Sequence, residues 1–178
     1  MPKMQIRQNI FETNSSSTHS ISIKKDPDCY IINIPKDSKI KINGITSFQN
    51  CCYFDEMGKL NAIAAMLENV YYHEHPDEKI EDPDFYKLVS CDYFKWLVDI
   101  IKAESNSEIE FSIPRDEYNL VRYGPPYFGE MYDDNSSIKD ILTENDDEIL
   151  TNEKKFKERI KNIIYDPEIV INSQHNVY

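Results

Sequence analysis

The apolar periodicity of this chain changes once, near residue 55, and that change limits what it can fold into. Before it, short segments alternate with a period of two. Met4–Arg7 is one, and His19–Lys24 is another, with Ile21 and Ile23 set against Ser20 and Ser22. Such alternation marks a half-buried strand. Cys29–Ile34 reads as a strand stopped by Pro35, and Lys39–Ile42 runs into Asn43-Gly44. Asn-Gly is a strong hairpin signal, so Lys39–Ile42 is expected to pair with Ile45–Phe48.

After the change, Leu60, Ile63, Ala64, Leu67, Val70 and Tyr71 recur at helical spacing between residues 55 and 72. A second helix is expected from Asp82-Pro83, carrying the stripe Phe85, Leu88, Val89, Trp96, Leu97, Ile100 and Ile101. Glu108–Ile113 alternates as a strand. Ser136–Leu142 reads as a short helix, Lys154–Ile164 as a longer one, and Glu168–Asn172 as a last strand. Strands, then helices, then scattered strands predict a single α+β domain over residues 1–178. Its expected form is a mostly antiparallel sheet covered by two longer amphipathic helices.

Charge narrows the function classes. With 32 acidic against 20 basic residues the net charge is −12, which disfavours direct binding to nucleic acid or anionic lipid. No stretch approaches the roughly 18 apolar residues of a membrane span, and the start lacks the apolar core of a signal peptide. A cytoplasmic protein is expected, without membrane contact. Cys29, Cys51, Cys52 and Cys91 form no Cys-x-x-Cys pair, which predicts reduced thiols rather than a zinc knuckle. No cofactor is named by any motif.

The densest functional signal is "FETNSSSTHS", residues 11–20. As a loop between two strands it would gather Asn14, Ser15, Ser16, Ser17, Thr18 and His19, with Arg7 supplying a nearby positive charge. Serine and asparagine in loops commonly bond their own backbone, so a self-satisfied turn is one reading. The other is a cradle for a polar ligand, because hydroxyls and N–H groups suit phosphate or carbonyl oxygens and His19 can exchange a proton near neutrality. Catalysis would use His19 with Ser16 or Ser17 and needs an orienting third group that spacing alone does not supply.

The stretch "IRQNIFETNSSSTHSISI" resembles the N-terminal signature of uncharacterised bacteriophage and bacterial proteins. The likeness covers about the first tenth of the chain. It implies phage association and the host cytoplasm, and it assigns no catalytic role. A host-directed or counter-defence inhibitor fits that association, with a host protein or a phosphorylated small molecule as partner.

Three other segments compete. His73 and His75, in "YYHEHPDEKIEDPD", are the nearest approach to a metal-ligand pair, although a solvated acidic connector explains them and no metal is expected. "RYGPPYFGEMY" offers Arg122, Tyr123 and Tyr127 as a binding surface. Residues 132–153 hold Asp133, Asp134, Asp140, Glu144, Asp146, Asp147, Glu148 and Glu153. Carboxylates so spaced allow mimicry of a nucleic-acid backbone. The reading is therefore a small acidic protein acting by binding through Asn14–His19. The alternatives are an enzyme of nucleotide or phosphoester chemistry, and an acidic nucleic-acid mimic that inhibits a host protein.

Overall fold

The computed structural model describes residues 17–23, 32–42, 51–75, 82–113, 142–143 and 146–175. The elements are β1 (Ser17–Ile23), β2 (Lys39–Ile42), β3 (Cys51–Tyr53), α1 (Glu56–Glu74), α2 (Asp82–Val89), α3 (Asp92–Ser105), β4 (Glu108–Phe111), a 3-10 turn (Asp147–Leu150), α4 (Glu153–Tyr165) and β5 (Ile169–His175). Helix and strand are mixed, as an α+β reading requires.

The strands do not form the single, mostly antiparallel sheet expected from the sequence. They divide into a three-stranded sheet ordered β1-β5-β3 and a separate two-stranded sheet of β2 and β4. In the first, β5 is central and antiparallel to both neighbours. In the second, Lys39–Ile42 lies parallel to Glu108–Phe111. The expected hairpin partner, Ile45–Phe48, lies outside the described residues, as does Met4–Arg7. Residues 32–34, expected in a strand, are irregular, although Ile34 is buried.

A parallel pair needs a long crossover, and here α1, α2 and α3 supply it. The start of the pair is set by a junction between residues 35–38 and 105–108. Asp37 N–H donates to Ser105 O (3.0 Å), Glu108 N–H donates to Ser38 O (2.9 Å), and the buried Ser107 hydroxyl donates to Pro35 O (2.6 Å). Asn106 closes α3 in the left-handed region (φ 54°), and Asp37 facing it also has positive φ (52°). The Asn106 side-chain amide donates to the Asp37 carboxylate at 2.6 Å. Asp and Asn tolerate this backbone region better than other residues with a side chain, so their identities suit the corner.

Helix α1 begins where Asp55 accepts a hydrogen bond from Gly58 N–H (2.7 Å). Residues 60 and 62–67 of this helix are buried with their neutral positions, including Ala62, Ala64 and Ala65, fully covered. A helix covered on nearly every side is central rather than a lid on one sheet face. The expected second helix is two helices. Ser90 and Cys91 N–H groups bond Lys87 O and Leu88 O, closing α2 with tightened i→i−3 bonds, and α3 restarts with Asp92 in its first turn. One apolar cluster joins residues of β2, α1, α2, α3, α4 and β5, including Ile42, Leu67, Leu88, Leu97, Phe156 and Ile171. None of the described helices is long and apolar enough to cross a membrane.

Candidate functional site

Ser17 and Thr18, expected in a loop, and His19, expected where that loop meets a strand, are the first residues of β1. Pairing with β5 stabilises them as strand, since seven successive residues find backbone partners there. Their register brings distant parts of the chain together. His19 lies opposite Ser173, which on its other side lies opposite Cys51. One row therefore reads His19, Ser173, Cys51 across three strands. The next row pairs Ser17 with His175. Because residues two apart share a sheet face, these five positions fall on one face. Along the same face the following row is Ile21, Ile171 and Tyr53, where Ile171 belongs to the core and Tyr53 packs against it. The face thus passes from apolar, against the core, to polar at the chain-terminal end. Thr18, Ser20, Asn172, Gln174 and Cys52 fall on the opposite face.

The remaining expected ligand residues, Arg7, Asn14, Ser15, Ser16, Arg122, Tyr123 and Tyr127, lie outside the described residues. His73 and His75 are exposed at the end of α1. The His75 ring stacks on Tyr71 at 4.3 Å and its Nδ1 lies 2.8 Å from Tyr71 O. Among residues whose side chains are described, no three His, Cys, Asp or Glu groups converge on a metal site.

The acidic segment is partly neutralised from within. Lys155 bridges Asp146 (2.9 Å) and Glu148 (2.5 Å), and Lys157 bridges Asp99 (2.7 Å) and Glu153 (2.6 Å). The hydrogen bond from Lys155 holds the Asp146 carboxyl below its ordinary range. These carboxylates are engaged by α4 rather than presented as a bare array. An open groove of about 560 Å³ at the start of α4 is lined by Thr151, Asn152, Glu153, Lys154 and Lys157. Its Lys157 is already committed to two carboxylates, Asp99 and Glu153.

The burial of two charged residues of α1, Lys59 and Glu68, was not foreseen. Lys59 is only 1% exposed, and its ammonium donates to Asp166 O (2.7 Å) and Ile164 O (3.2 Å) at the end of α4. These are carbonyls that a helix end leaves without intrahelical partners, so the lysine caps α4. Burial lowers its pKa, while the charges of Asp166, Glu56 and Asp55 oppose the shift. Nearby, the Tyr165 hydroxyl is buried without a hydrogen-bond partner, and burial, reinforced by Glu56 and Glu104, raises its pKa. The helical spacing of Lys59 with Ile63 and Met66 was the available signal for its burial.

Comparison with protein-family models, characterised proteins and solved structures returns no match. The functional argument therefore rests on residues and register.

Proposed function

We propose that the chain acts by binding, with the polar end of the β1-β5-β3 sheet as its ligand site. The observation that carries this is the register that brings His19, Ser173 and Cys51 into one row beside Ser17 and His175. Residues some 150 positions apart in sequence meet there, and the face they occupy joins the core at its other end. Hydroxyls and imidazoles suit acceptor oxygens and a titratable phosphate, so the ligand is a phosphorylated small molecule or a polar surface of a host protein. The phage-type resemblance of the N-terminal stretch supports a host-directed or counter-defence role in the cytoplasm. Asn14, Ser15, Ser16 and Arg7 are proposed contacts of the same ligand, as are Arg122, Tyr123 and Tyr127.

The enzyme reading gains one observation: the strand register sets His19 opposite Ser173, so Ser173 joins Ser16 and Ser17 as a candidate nucleophile. Turnover with a pH profile reporting an imidazole would favour it.

A thermal-shift screen against nucleotides, cyclic nucleotides and other phosphorylated small molecules tests the binding reading. Wild type should shift, and His19→Ala and Ser173→Ala should each lose the shift while keeping the unliganded melting temperature within a few degrees. A shift that survives both substitutions places the ligand elsewhere.

A further inference from the structure

We draw no further inference here: the strongest candidate, the side-chain cluster where the start of α1 meets the end of α4 and the charges of Glu56 and Glu104 act on the unpartnered hydroxyl of Tyr165, carries nothing, because Tyr165 is only partly buried, Glu104 is already paired with Lys161, and nothing in the structure shows what the cluster would bind.

Discussion

Lys59 shows how one residue can join two helices. It sits in the first turn and a half of α1, yet its charge ends on the last carbonyls of α4. Removing it takes the lysine donor from the buried Ile164 carbonyl, while Asp166 O keeps the Ile169 N–H, and opens a cavity. Lys59→Ala should therefore destabilise by about 2–4 kcal/mol in urea unfolding. Lys59→Met keeps most of the volume and should cost less. The pH dependence has a definite sign. The folded-state pKa lies below the ordinary 10.5, so between the two values the unfolded chain holds more protons and stability rises with pH. That rise should flatten in Lys59→Met. A second residue-scale test is Asn106, whose φ of 54° suits glycine as well. Asn106→Gly should stay within about 1 kcal/mol of wild type, whereas a β-branched Asn106→Val should cost more, by thermal unfolding.

At the scale of elements, the β2–β4 pair and α4 make opposite kinds of contribution. Ile40 and Ile42 are buried and alternate with exposed Lys39 and Lys41. Ile42→Ala should cost about 2–5 kcal/mol, and Lys41→Ala less than about 0.5 kcal/mol, in the same denaturant series. Helix α4 is tied to its surroundings by surface ion pairs, with Lys161 bound to Glu104 as well as the pairs of Lys155 and Lys157. Lys155→Ala should lower stability slightly, with the difference vanishing in high salt. The Asp146 carboxyl is held below its ordinary 3.8, so its share is present above that value and lost as pH falls through the depressed one. Lys155→Ala should weaken that acid-side dependence, leaving the smaller share that comes from the Glu148 N–H bond.

For the molecule as a whole, periodicity made the elements legible and pairing was not. The stripe of Leu60, Ile63 and Leu67 announces α1, and Phe156, Ile160 and Ile163 announce α4. Alternation in Lys39–Ile42 says that a strand exists, but it matches Glu108–Phe111 as well as any neighbour, and Asn43-Gly44 favoured the local partner. Parallel pairing across three helices leaves no short-range trace. The break at Ser90–Cys91 was equally silent, since the apolar stripe continues on either side of it. The site follows the same rule. His19 was legible as a titratable group, but Ser173, His175 and Cys51 become its neighbours only through β-sheet register, which no local spacing encodes.

That register is the claim on which the proposed ligand site depends, and cross-linking reads it directly. Thr18 and Gln174 are opposite one another on the face away from the proposed ligands. Directly opposed strand residues lie at a separation a disulfide can span. The doubly substituted protein T18C/Q174C, oxidised mildly and mapped by peptide mass, should show a link between positions 18 and 174. Thiols that stay free at these two positions, or that pair instead with native cysteines, would contradict the pairing of β1 with β5.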